Sequence, residues 1–103
     1  MVRYPQKIQD ILAVIKKCIE HGRYLDTRHA NERQFEKGIT RPEIIYVLKN
    51  GHHERKKDKY DEMYQTWKYS IKGKTVDKRE LRIIISFDEN NGIIIITAID
   101  LIK

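Results

Sequence analysis

A chain of 103 residues, 40% of them hydrophobic, can bury one modest core and reads as a single domain spanning residues 1–103. Lys and Arg number 21 against 15 Asp and Glu, a formal net charge of +6, which favours polyanionic partners: nucleic acid first, an acidic protein second. The lone Cys18 excludes an intramolecular disulfide and suits a reducing, cytoplasmic setting. Apolar runs such as Ile93 to Ile96 are far too short to cross a bilayer, and no signal peptide is visible.

Pro5 to Glu20 reads as the first helix, because Ile8, Ile11, Leu12, Ile15 and Ile19 fall on one stripe and Pro5 suits a first turn. Cys18 lies on this amphipathic helix as a buried, inert thiol. His21-Gly22 stops the helix, and Arg23 to Asp26 is a connector or a very short strand. Asp26 or Thr27 caps a second helix that runs to Lys37 and ends at Gly38. Thr40 and Glu43 form a capping box for a third helix, with Pro42 in its first turn and Asn50-Gly51 at its close. Ile44, Ile45, Val47 and Leu48 supply its buried side.

Beyond Gly51 the period changes from helical to alternating. His52 to Lys57 is a polar strand candidate and Asp58 to Met63 a loop. Gln65, Trp67, Tyr69 and Ile71 alternate with Thr66, Lys68, Ser70 and Lys72, giving a strand with one aromatic and one basic face. Gly73 to Lys78 is a polar turn. Leu81 to Phe87 and Ile93 to Ile102 are β-branched runs joined by a hairpin at Asp88 to Gly92. Their lack of clean alternation predicts cover on both faces or pairing with another chain. Helices followed by a sheet predict an α+β domain.

Three features bear on chemistry. His29 and Arg33, four residues apart on a helix, project together. A histidine transfers protons near neutral pH and an arginine grips phosphate, so the pair could cleave a phosphodiester by attack of the neighbouring 2′-hydroxyl, with no metal required. The structural alternative, which the spacing alone favours, is that His29 caps or packs against the sheet while Arg33 pairs with Glu32, Glu36 or another carboxylate. The run His52 to Lys59 would put His53, Arg55 and Lys57 on one strand face, either tracking a nucleic-acid backbone or serving as a solvated edge that blocks aggregation. Among the aromatics, Trp67 and Tyr69 face away from the lysines, toward the core. Tyr64 shares the face of Lys68 and Lys72 and is the candidate for base stacking. There is no glycine-rich phosphate loop, no cysteine-based zinc spacing and no Ser-His-Asp signature, so no metal or cofactor is expected.

At His29-Ala30, Arg33 and Lys37-Gly38-Ile39-Thr40, followed by Pro42-Glu43 and Asn50-Gly51, the chain resembles the bacterial "domain of unknown function 4258" family. That family in turn looks like a distant branch of the RelE/ParE and BrnT toxin superfamily. The resemblance covers His29 to the end, the first helix being an extension. It implies a RelE-like fold of N-terminal helices packed on a small antiparallel sheet of three to four strands. It also implies a metal-independent, toxin-like endoribonuclease of a toxin-antitoxin system, acting on RNA with or without the ribosome and neutralised by an acidic antitoxin. Only His29 and Arg33 match the motif's functional positions. In such an enzyme His29 would act as acid or base, Arg33 and Arg82 would clamp phosphate, and Lys68 would stabilise the pentavalent transition state. His53, Arg55, Lys57, Tyr64 and Lys72 would bind the nucleic acid.

Two other classes remain open. One is a non-catalytic module using the same basic surface. The other is a partner-capping protein that pairs through a sheet edge, as a homodimer or with an antitoxin.

Overall fold

The structure is a computed structural model describing residues 4–101, with the side chain of Arg33 outside the description. Helix α1 (Ile11–Glu20) begins at Ile11 and not at Pro5. Asp10 supplies the cap, its carboxylate accepting from the Ala13 N–H at 3.3 Å. The backbone ahead of it is spent on the sheet instead: the Ile8 N–H donates to the Tyr69 hydroxyl at 2.9 Å, and the Pro5 carbonyl accepts from the Trp67 indole at 2.6 Å. Strand β1 (Tyr24–Asp26) follows. Helix α2 (Arg28–Lys37) is capped by the Thr27 hydroxyl at its start and stopped by Gly38 in the left-handed region, φ 63°. Helix α3 (Arg41–Asn50) carries the expected Thr40–Glu43 capping box.

The polar run after Gly51 and the stretch that follows it both depart from expectation. The polar run folds as a two-residue strand β2 (His52–His53) and then a single 3-10 turn, Arg55–Lys57, not as one strand to Lys57. The stretch expected as a loop holds a strand, β3 (Lys59–Asp61). Asp58 explains both. Its nearly inaccessible carboxylate accepts from the Ser70 N–H at 3.1 Å, from Lys7 at 2.9 Å, and pairs with His53 at 2.7 Å. One side chain thus occupies the edge of the next strand where a backbone would have paired, and the chain detours around it. Strands β4 (Thr66–Lys74), β5 (Glu80–Asp88) and β6 (Gly92–Asp100) form the antiparallel centre. The predicted end of the last strand at Ile102 lies outside the described residues.

The described residues therefore form six strands where three to four were expected, in the order β1-β6-β5-β4-β2, with β3 paired to the Thr66–Lys68 end of β4. The sheet is not wholly antiparallel, because β1 runs parallel to β6, Tyr24 opposite Ile93 and Asp26 opposite Ile95. Gly92 makes this possible. It adopts φ 83°, and a Cβ there would lie 2.2 Å from the Arg23 carbonyl oxygen. Past Asp26, Thr27 donates to the carbonyls of Ile95 and Ile96, and α2 packs mainly on β6, burying Ala30 completely.

Helices α1 and α3 contribute Ile11, Ile15, Cys18, Ile44, Val47 and Leu48 to one continuous core with Ile71, Leu81, Ile83, Ile85, Ile93 and Ile95 of the sheet. Each fully buried aliphatic side chain stabilises the fold by about 1.5–3 kcal/mol. Cover on both faces of the isoleucine strands is not what forms. Alternation holds through Leu81, Ile83 and Ile85, while Arg82 and Ile84 between them are only partly buried and face away from the helices. A bulge between Ile84 and Ile85 leaves Ile96 without a ladder partner, so the run of four isoleucines reads as unpatterned although its paired residues alternate.

Candidate nucleic-acid interface

The sheet face turned away from α1 and α3 carries the polar members of β4 and β5. Lys72 lies opposite Arg82 in the ladder and Ser70 opposite Ile84, with Lys74 opposite Glu80. Beside them the 3-10 turn projects Lys56 and Lys57, and β3 adds Lys59, whose ladder partner is Lys68. A shallow basin of about 390 Å³ results, lined by Lys56, Lys57, Lys59, Lys68 and Arg82 around Ser70 and Ile84. A strand would have pointed Lys56 and Lys57 to opposite faces; the tight turn brings both to the basin.

The cations differ in what holds them. Arg82 is gripped by Glu54, whose two carboxylate oxygens accept from its Nε at 2.7 Å and its Nη2 at 3.1 Å. The Ser70 hydroxyl adds a third bond to Glu54 at 2.7 Å. The Arg82 bonds, aided by the Ser70 hydroxyl, hold the Glu54 carboxyl at about 2, well below its usual value, against the opposing effect of its partial burial. The same pairing raises Arg82 further above the range in which it could lose a proton. Lys68 lies 3.2 Å from Asp61, and Lys72 lies 3.3 Å from Glu80. Among the described residues Lys56, Lys57 and Lys59 make no ion pair, so the basin carries three cations with no carboxylate of their own.

A larger cleft adjoins it. The pairing of β4 with β5 ends at Tyr69 opposite Ile85, and from Lys68 back to Thr66 β4 pairs with β3 instead. The two strands splay, and a cleft of about 1100 Å³ opens between them, lined among others by Tyr64, Trp67, Lys68, Phe87, Ile94 and Ile96. Lys68 lines both cavities and joins them. Tyr64 is 75% exposed and sits in the turn between β3 and β4, not on the lysine face of a strand. That turn is fixed by Asp61, which accepts from the N–H groups of Met63 and Tyr64. The Tyr64 N–H, with Lys68, holds the Asp61 carboxyl below its ordinary range.

The residues singled out in the sequence are thus distributed over the molecule. Lys57, Lys68 and Arg82 meet in the basin, Tyr64 lines the adjoining cleft, and Lys72 lies next to Arg82 on the same face. Arg55 is exposed on the 3-10 turn, whereas His53 turns inward against Asp58 and Tyr69, so the two share no strand face with Lys57. His29 is exposed on α2 and, among the described residues, makes no hydrogen bond or ion pair and lines neither cavity. Arg33 lies on the same helix, its side chain outside the description. Trp67 and Tyr69 face the helices as expected, and Tyr69 is almost fully buried. The sequence reading missed Glu54 as the partner of Arg82; its signal is that Glu54 is one of two carboxylates, with Asp58, inside the basic run His52 to Lys59.

No three His, Cys, Asp or Glu side chains among the described residues are grouped to hold a metal ion. None of their helices is long and apolar enough to cross a membrane.

The model of one protein family, described as Domain of unknown function (DUF4258), matches residues 27–100. The chain belongs to this family. The match takes in α2, α3 and every strand but β1, and leaves α1 and the segment before it outside. No curated protein and no solved structure gives a significant match.

Proposed function

We propose that this protein binds single-stranded RNA across the face of its sheet that the helices leave open. The observation that carries the reading is the convergence of five cations on one basin, three of them without a carboxylate partner among the described residues. Phosphate oxygens would be met by Lys56, Lys57 and Lys59, with Lys68 leading the backbone to the aromatic cleft. There unstacked bases find apolar and aromatic surface, Tyr64 foremost. An oligouridylate should bind with an affinity that falls steeply as salt rises, and a duplex of equal length more weakly. Fluorescence anisotropy over a salt series measures both. Binding that ignores salt, or equal preference for duplex, defeats the proposal.

A second reading is the toxin-like endoribonuclease, distantly akin to the RelE/ParE and BrnT group and controlled by an acidic antitoxin laid over the same face. It is favoured by one observation: Lys68 and Arg82, two of the four groups assigned to catalysis, line a single basin. There they would stabilise the charge of a pentavalent phosphorus while the 2′-hydroxyl attacks. His29 would have to reach the RNA from α2. Inducing the protein alone in a bacterial host separates the readings. Growth arrest with fragmented RNA, lost in the folded His29→Ala, Arg33→Ala variant, supports cleavage. Normal growth with intact RNA at soluble expression leaves binding alone.

A further inference from the structure

Lys56 and Lys57 stand on a short 3-10 turn that one buried residue holds at both ends. Just before the turn, the Ser70 carbonyl accepts from the Glu54 N–H at 2.8 Å and the Ser70 hydroxyl donates to the Glu54 carboxylate at 2.7 Å. Just after it, the Asp58 carboxylate accepts from the Ser70 N–H at 3.1 Å. Inside it, the Lys57 N–H donates to the Glu54 carbonyl and the Asp58 N–H to the Arg55 carbonyl. Lys59 is fixed separately, in the β3–β4 ladder opposite Lys68. The backbone therefore delivers three lysines to one basin and keeps them there against their mutual repulsion. A run that served only to keep the surface solvated would let its charges point apart.

The charge is concentrated as well as fixed. Glu54 offsets Arg82 and Asp61 offsets Lys68, which leaves Lys56, Lys57 and Lys59 uncompensated in about 390 Å³. That volume lies near the lower end of the range for small-ligand sites, about 300–1,000 Å³. Glu54 takes Nε and Nη2 of Arg82, so the planar guanidinium is held still while its Nη1 has no hydrogen-bond partner among the described residues. A fixed arginine with a free edge suits a phosphate oxygen. Internal phosphates of an RNA strand carry one charge each, with a ribose between one and the next. A 5′-terminal triphosphate instead brings roughly three to four charges on consecutive phosphates. The basin matches the second distribution.

We infer that the basin is a site for the 5′-triphosphate end of an RNA strand. This inference rests on the RNA reading and names the part of the strand that is recognised. Lys56, Lys57 and Lys59 neutralise the triphosphate, and the free edge of Arg82 meets one of its oxygens. Lys68, which lines both cavities, takes the first internucleotide phosphate as the chain leaves toward the larger cleft. A strand that ends in a 5′-hydroxyl keeps only its backbone contacts and binds more weakly.

The test measures binding of the full chain, in EDTA, to oligouridylates of roughly eight nucleotides that carry a 5′-triphosphate, a 5′-monophosphate or a 5′-hydroxyl. A 5′-hydroxyl strand lengthened until its total charge equals that of the triphosphate strand controls for charge count. UTP and inorganic tripolyphosphate control for the triphosphate alone. The triphosphate strand should bind at least about tenfold tighter than either hydroxyl strand, with the monophosphate between, and tighter than UTP or tripolyphosphate. Substituting the exposed pair together, Lys56→Gln with Lys57→Gln, should cut that preference below about threefold with little change in Tm. Equal binding of the triphosphate and charge-matched hydroxyl strands, or a preference that survives the double substitution, overturns end recognition and leaves RNA binding intact. UTP binding as tightly as the triphosphate strand assigns the basin to free nucleotides and overturns the RNA end as its ligand. Absence of binding to every strand overturns this inference and the RNA reading together.

Discussion

Replacing Glu54 by glutamine should weaken the fold and strengthen RNA binding at once. A carboxyl held at about 2, where 4.5 is ordinary, represents about 3 kcal/mol of preferential interaction with the folded state. Glu54 and Arg82 keep 13% and 20% of their side-chain surface in contact with solvent, which trims the expected loss in Glu54→Gln to about 2 kcal/mol at pH 7. In a domain of this size that corresponds to a fall in Tm of about 10 °C. The sign of the pH dependence follows from a depressed carboxyl. The contribution is complete above the ordinary value of 4.5 and is lost as pH falls through about 2. Wild type and variant should therefore differ most at pH 5 and above and converge toward pH 2, as read by urea unfolding at a series of pH values. On the binding side, the Arg82 guanidinium loses its competitor and the basin gains one net positive charge. Oligouridylate should bind Glu54→Gln more tightly, with a salt dependence steeper by about 0.7 in log K against log salt. A stability difference that does not change with pH, or weaker RNA binding by the variant, would refute the role given to this pair.

Asp58→Ala removes the acceptor of the Ser70 N–H and leaves that buried donor unpaired; thermal melts should show a loss of about 2–3 kcal/mol. Gly92→Ala drives a Cβ into the Arg23 carbonyl oxygen at a positive φ, so it should cost at least about 2 kcal/mol. Hydrogen exchange should then speed first at the β1 amides, and protection unchanged from wild type would contradict the close approach. Phe35, 91% exposed on α2, should tolerate Phe35→Ser with a change in stability of no more than about 0.5 kcal/mol. A large loss there would mean that α2 packs differently.

The helical half of the fold is legible in the sequence because its signals are local. Thr40 and Glu43 lie three residues apart and close a capping box by themselves, and Gly38 ends α2 through its own φ. The long hairpin of β5 and β6 is legible for the same reason. What sequence reading could not reach depends on contacts between distant residues. The start of α1 is set by where Pro5 and Ile8 spend their backbone groups, on Trp67 and Tyr69 some sixty residues later. The breaking of the polar strand depends on Asp58 bonding Ser70 across the sheet. The parallel pairing of β1 with β6 joins Tyr24 to Ile93, far apart in the chain, and leaves no periodic trace in three residues. For the site, the basic run and Lys68 were visible as charges. Their meeting in one basin follows from a 3-10 turn and from the β3–β4 ladder, neither of which a charge count contains.

The most direct test of the central claim is the salt dependence of oligouridylate binding in wild type and in the folded triple variant Lys56→Ala, Lys57→Ala, Lys59→Ala. If these three lysines meet the phosphates, the slope of log K against log salt should fall by about 2 in the variant, with little change in Tm. An unchanged slope, or an affinity that the triple substitution does not reduce, would contradict RNA binding at the basin.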